Sequence, residues 1–220
     1  MIGWVSALAL AAAGDLPSPP TDPRLEVFKA ACVPHRLDLA KAAEALAADG
    51  WVRVPDNDHP RLAAAMARAR AEAEDPGLDM TLDFSVWGRT RDGLRLHVVL
   101  NRVHAMIGET EDSDGDGVIQ SWERAYSWDT VGCGLWDFEA TGLIDLAAMN
   151  AWVGAEPVQF IDAPGQISGG TWNVHHMMPG AGEVHMGYVP EGGGMGIAPG
   201  FAGLSITMSS VLPDAATEAE

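Results

Sequence analysis

Between residues 79 and 100 the apolar side chains fall at every second position. Met80, Leu82, Phe84 and Val86 alternate with Thr81, Asp83 and Ser85, and after Asp92-Gly93 the spacing returns in Leu94, Leu96, Val98 and Leu100. Successive side chains on a strand point to opposite faces, so each run predicts a strand with one buried face. The Asp-Gly pair between them predicts a hairpin. The residues before this stretch follow a longer period. Leu39, Ala43 and Leu46 recur at three and four residues with Gly50 behind them, which predicts a helix and its stop. Pro60 suits the first turn of a second helix with Leu62, Met66 and Ala69 on one face, closed by Pro76-Gly77.

After residue 130 a third strand is expected at Gly132–Phe138 and a short helix at Leu143–Val153, stopped by Gly154. Further strands are expected at about 166–176, 183–189 and 204–209. Glycine is dense in this last third, which holds 13 of the 25, as turns between short strands require. The expected fold class is α+β: an N-terminal helical pair, then a mainly antiparallel sheet with one further helix and one inserted acidic loop. It occupies residues 24–210 as a single domain, with an acidic tail at 211–220.

Ile2 to Ala13 is apolar apart from Gly3 and Ser6, and Ala11-Ala12-Ala13 offers a small-residue cleavage site. Residues 1–13 are therefore expected to be an export signal, although no Lys or Arg occurs before Arg24. Residues 14–23, with Pro17, Pro19, Pro20 and Pro23, are expected to be a linker. This makes the mature protein periplasmic or secreted. In such a compartment Cys32 and Cys133 can pair, and two buried free thiols are the other reading. A net charge of −18, from 31 acidic and 13 basic residues, repels phosphate backbones and argues against nucleic acid. No apolar stretch is long enough to span a bilayer.

The most specific motif is Asp-Ser-Asp-Gly-Asp-Gly-Val-Ile-Gln-Ser-Trp-Glu at residues 112–123. Calcium is a hard cation that takes six to eight oxygen ligands, and the spacing here supplies them. Asp112, Asp114 and Asp116 stand at the first, third and fifth positions, and Gly117 stands where the chain must turn sharply. Val118 offers its carbonyl, Gln120 ligates directly or through water, and Glu123 closes the set with both oxygens. Four carboxylates this close repel one another unless a cation lies between them.

Residues 112–123 resemble the loop of EF-hand proteins, with Ile119 matching the apolar eighth position. The resemblance covers the loop alone. Gly108, Glu109, Thr110 and Glu111 stand where an incoming helix should finish, and the segment before them alternates like a strand. Trp122 and Tyr126 fit one face of a short exit helix, ended by Asp129 to Gly134. There is no second loop to form the pair that calcium sensors use. The likeness is therefore to isolated calcium loops inserted in exported bacterial proteins, where the ion clips a connection in place. The remainder, through a Phe28-Lys-Ala-Ala-Cys32 helix and a Cys133-Gly-Leu-Trp-Asp-Phe138 strand, resembles small uncharacterised exported bacterial proteins. That resemblance implies no activity.

Residues 170–189 hold a second candidate. Folding them symmetrically about Gly180 opposes His175 to His185 and His176 to Val184. Trp172, Val174, His176, Val184, Met186 and Tyr188 then share a core face, and Asn173, His175, Met177, Glu183 and His185 share the other. Two opposed imidazoles with Glu183 or Met177 can hold zinc or copper. A polar strand face shows His and Glu without any metal, and a shift of register undoes the pairing.

The chain contains no phosphate-binding loop, dinucleotide fingerprint, zincin helix or nucleophile elbow. Gly192-Gly193-Gly194-Met195-Gly196 lacks the spacing and lysine of a phosphate cradle. The eight tryptophans suit a core, and an exposed subset can stack on sugars. The sequence thus reads first as a non-enzymatic exported protein whose acidic connection Glu109–Trp128 is ordered by Ca²⁺. The alternative is an exported metal-dependent enzyme, or a zinc or copper protein, centred on His175 and His185. A calcium sensor exposing Met and Trp surface is a third reading. No protein partner is named by any motif.

Overall fold

The computed structural model describes residues 21–74, 79–91, 93–107, 126–193 and 201–212. The expected export signal (1–13) and most of the linker lie outside the described residues. So do the calcium loop (112–123) and the tail beyond residue 212.

The elements run α1 (Pro23–Cys32), α2 (Leu39–Ala48), β1 (Val52–Val54), α3 (Pro60–Ala73), β2 (Asp79–Arg91), β3 (Leu94–Ile107) and β4 (Tyr126–Asp137). They continue with α4 (Leu146–Val153), β5 (Gln159–Ala163), β6 (Ile167–Asn173), β7 (Ala181–Val189) and β8 (Gly203–Val211). The eight strands form one sheet in the order β1-β2-β3-β4-β8-β7-β6-β5, and every neighbouring pair is antiparallel. Two four-stranded meanders thus meet along β4 and β8.

This overturns the expected α+β arrangement of a helical pair, a sheet and one more helix. The chain is mostly a single antiparallel sheet carrying four short helices. Three of the helices precede β2, and β1 lies between α2 and α3, so helices and strands are interleaved. The Phe28–Cys32 helix is the second half of α1, whose apolar residues form no single stripe: Leu25, Val27, Phe28, Ala31 and Cys32 are all buried. Pro23 is its first residue, and the Asp22 carboxylate accepts the Arg24 N–H at 2.9 Å, so the last residues of the expected linker start the fold. β1, at three residues, is too short to show a period.

The helices that were expected form where the sequence starts and stops them. Pro60 opens α3, with Leu62 and Met66 buried beneath it. Gly154 ends α4 in the left-handed region at φ 74°. Gly93, at φ 81°, supports the turn joining β2 and β3.

One face of the sheet is covered by α1, α2 and α4. Its core contains Leu96, Val98 and Leu100 of β3, Leu135 of β4, Ile206 and Met208 of β8, and Val184 and Met186 of β7. Trp172 is wholly buried there, and its indole N–H donates to the Asn150 side chain on α4 at 2.9 Å. α3 lies on the opposite face, where Leu62 and Met66 meet Val86, Val99 and Phe138. The two N-terminal helices expected to pair, α2 and α3, are thus separated by the sheet. Among the described residues no helix is long and apolar enough to cross a membrane.

Cys32 of α1 and Cys133 of β4 form a disulfide, with Cα atoms 5.4 Å apart and 101 positions between them in sequence. A closure of that length stabilises the fold by about 4–5 kcal/mol in the chain-entropy model. Denatured, unreduced protein is expected to show no thiol with Ellman's reagent. The Cys32→Ser/Cys133→Ser variant is expected to lose about 4–5 kcal/mol of unfolding free energy in urea.

Candidate functional site

The strands flanking the expected calcium loop are described, although the loop is not. β3 and β4 pair continuously from His97↔Trp136 to Ile107↔Tyr126. The connection therefore leaves and re-enters the sheet at two facing residues, whose Cα atoms in such a pair are about 5 Å apart. Asp112, Asp114, Asp116, Val118, Gln120 and Glu123 all lie within this connection and outside the described residues. The flanks correct one expectation. β3 remains a strand to Ile107 and β4 begins at Tyr126, so Tyr126 belongs to a strand and not to an exit helix. Residues 94–107 likewise supply no incoming helix. The described flanks of the connection are thus two paired strands and not the helices of a helix–loop–helix.

Near this end of the sheet Asp129 is already committed. It accepts two bonds from Arg102 at 3.2 Å and lies 3.2 Å from Nδ1 of His104, its facing residue. The His104 bond, and then the Arg102 guanidinium, hold its carboxyl below the usual carboxylate range.

The histidine–methionine hairpin forms in another register from the one expected. β6 ends at Asn173, which faces Glu183, and Trp172 faces Val184. His185 faces Thr171 and lies 3.0 Å from its hydroxyl through Nδ1. His175 is beyond the strand, and its own N–H donates to the Asn173 side chain at 3.0 Å. His176 bonds the Val153 carbonyl at 2.9 Å, which ties the turn to the end of α4. The connection is longer than a symmetric fold about Gly180 allows, because residues 174–180 form a compact turn that buries Met178. His175 and His185 are therefore not opposed. The shift is by an even number of residues, so the core face survives in Trp172, Val174, Val184 and Met186. Among the described residues no group of three or more His, Cys, Asp or Glu side chains is placed to hold a metal.

Sequence reasoning did not find the most tightly built polar cluster. His97 is fully buried on β3, and its Nε2 lies 2.9 Å from the carboxylate of Asp58. Arg95 donates to the same oxygen at 2.5 Å. The next residue, His59, caps α3: its Nδ1 accepts the Arg61 N–H at 3.2 Å. The His59 ring stacks on Phe138 at 4.5 Å, and its Nε2 lies 3.4 Å from Glu139. The cluster fastens the start of α3 to the sheet. The available signal was a histidine between Leu96 and Val98 and an Asp-His pair before Pro60; only the fold brings them together. With 1% of its side chain exposed, His97 cannot touch a substrate, so this carboxylate–imidazole pair is structural.

Burial holds the His97 imidazole below its ordinary value, against the opposing pull of Asp58. Burial alone would raise Asp58, but the bonds from His97 and Arg95 outweigh it and hold that carboxyl low. His97 is thus neutral, its Nε2–H donating to Asp58. No protein-family model matches the chain, and neither the curated proteins nor the solved structures contain a match.

Both shifts act in one direction. Below the ordinary imidazole value of 6.5 the unfolded chain binds a proton at His97 that the folded chain refuses, so acid favours unfolding. Asp58 adds to this below its own ordinary value of 3.8. Urea denaturation is expected to show stability falling as the pH drops below about 6.5, and His97→Gln is expected to flatten that fall. An equal fall in both proteins would assign it to other groups.

Proposed function

We propose that this is an exported calcium-binding protein in which Ca²⁺ has a structural role. The ion is held by Asp112, Asp114, Asp116, Glu123, the Val118 carbonyl and Gln120, and it orders the connection between β3 and β4. The reading rests on the spacing of these ligands. The observation that carries its structural side is the pairing of Ile107 with Tyr126 at the base of the connection.

A long acidic connection with ends pinned this close must fold back on itself, which concentrates its carboxylates and costs conformational entropy. A dication neutralises the first and offsets the second. Because β3 and β4 are both central strands, order imposed at the hairpin tip is passed to the interior of the sheet. Strand flanks also argue against sensing, which in paired EF-hands works by moving helices. The Cys32–Cys133 disulfide supports an oxidising compartment, where calcium is abundant enough to fill even a weak site of about 10⁻⁴–10⁻³ M.

Thermal melts in millimolar calcium and in excess EGTA test the reading. The melting temperature is expected to be several degrees higher with calcium. Asp112→Ala or Glu123→Ala is expected to abolish that difference while leaving the melt in EGTA unchanged. Equal destabilisation by the variants in both buffers would sink the proposal.

A further inference from the structure

α3 packs over β2 and β3, and among the described residues no helix covers the same face across β8, β7, β6 and β5. Strand alternation and register determine what this open face displays. β8 contributes Ser205, Thr207 and Ser209, and β7 contributes Glu183, His185 and Gly187. Glu183 is the one carboxylate among its described residues on β4 to β8, and Lys and Arg are absent there. That is unusual in a chain of net charge −18. The other face shows the ordinary solvated pattern where it runs past the helices, with Asp79, Asp83, Arg102 and Asp129.

Two recesses lie side by side on the open face and share His185. One, of about 140 Å³, is walled by Asn101, Trp136, Thr207 and Ser209 over Gly132 and Gly134. The other, of about 290 Å³, is walled by Gln159, Thr171 and Ser205 over Gly169 and Gly187. Together they reach the lower end of small-ligand sites, roughly 300 Å³.

The glycine floor is built for close approach. A Cβ at Gly132 would collide with the Asn101 side chain, and one at Gly134 would lie 2.9 Å from Nε1 of Trp136 and 3.0 Å from the Thr207 methyl. The Trp136 indole therefore lies over the β4 backbone at the wall of the recess. Its N–H is buried and has no acceptor among the described residues, whereas the buried Trp172 N–H is satisfied by Asn150. A buried donor left without a partner costs about 1–3 kcal/mol, so one that persists beside a recess marks a place for an incoming acceptor.

We propose that this face binds a neutral saccharide. Apart from Glu183 its polar groups are amides, hydroxyls and one imidazole, which both donate and accept, as sugar hydroxyls do. Trp136 adds an apolar ring and an unpaired donor. The face offers no cation for a phosphate or a carboxylate, and a single carboxylate is a poor match for a cationic ligand. Recesses open to solvent do not enclose an acyl chain. None of the residues lining the two recesses belongs to the calcium motif at 112–123.

The test is calorimetry and ligand-observed NMR of the whole chain with neutral trisaccharides built from glucose, galactose and N-acetylglucosamine, and with sialylated and sulfated counterparts. Binding of at least one neutral sugar is expected. It should weaken roughly tenfold in Thr207→Val, which keeps the shape and removes the hydroxyl, and in His185→Ala. Trp136→Phe, which retains a ring against Phe138 and Phe201, should weaken it similarly. No binding at about 10 mM sugar would overturn the proposal. So would preference for the charged sugars, or binding unchanged in both Thr207→Val and His185→Ala variants whose melts match the parent.

Discussion

The ladder between β4 and β8 is the seam of the molecule. From Thr130↔Val211 to Asp137↔Leu204 it joins the two meanders, whose inner faces share one core beneath α1, α2 and α4. Everything placed on β4 is therefore placed at the centre. Cys133 faces Met208 across the seam and is cross-linked to α1. Trp136 and Phe138 at its end pack with Phe201, at the far end of the connection that returns the chain to β8. The acidic connection enters β4 at its first residue. A chain of this size buries enough surface to fold without covalent help. The cross-link and the proposed ion thus serve to keep one strand in place between its two neighbours.

The two faces of the sheet solve different problems. One is a conventional core of Leu, Met, Val and Trp beneath three helices. The other is half covered by α3, and that half depends on a polar anchor. Asp58 and His97 hold the start of α3 to β3, while His59 caps the helix and stacks on Phe138. Beyond α3 the face turns to glycine, serine and threonine. Such residues leave backbone accessible and give little to a core, so their cost in packing falls where coverage ends.

Much of the local structure was legible in the sequence, and its assembly was not. Met80 to Val86 shows its period of two because the first half of β2 alternates between more and less exposed positions, whereas Leu96 to Leu100 of β3 is buried on both faces. Pro60, Gly50, Gly93 and Gly154 mark ends because their backbone preferences act locally. α1 was legible only in its second half, Phe28–Cys32, because a helix buried on several sides has no stripe, and β1 and β5 were missed because three to five residues cannot establish a period. The histidine hairpin shows the limit clearly. Parity of the faces was recoverable, but the register was not, since a compact turn at 174–180 moved every partner by an even step. The Asp58–His97 pair joins residues 39 positions apart, so its two halves are visible in sequence and their pairing is not. The proposed calcium ligands are the opposite case, since the spacing that such an ion would require is itself visible in sequence.

The disulfide closes residues 32–133 into a covalent ring, and the whole acidic connection lies inside it. A protease that cuts the chain anywhere between those cysteines opens the backbone without dividing the molecule. The N-terminal piece keeps α1, and the C-terminal piece keeps β4 with every later strand, and the two remain tethered at the seam. Nicked protein would travel as one species under non-reducing conditions and separate into two only after reduction. Outside the cell, where proteases are frequent, such a ring turns a cut in the connection from a loss of the protein into a change in its connectivity.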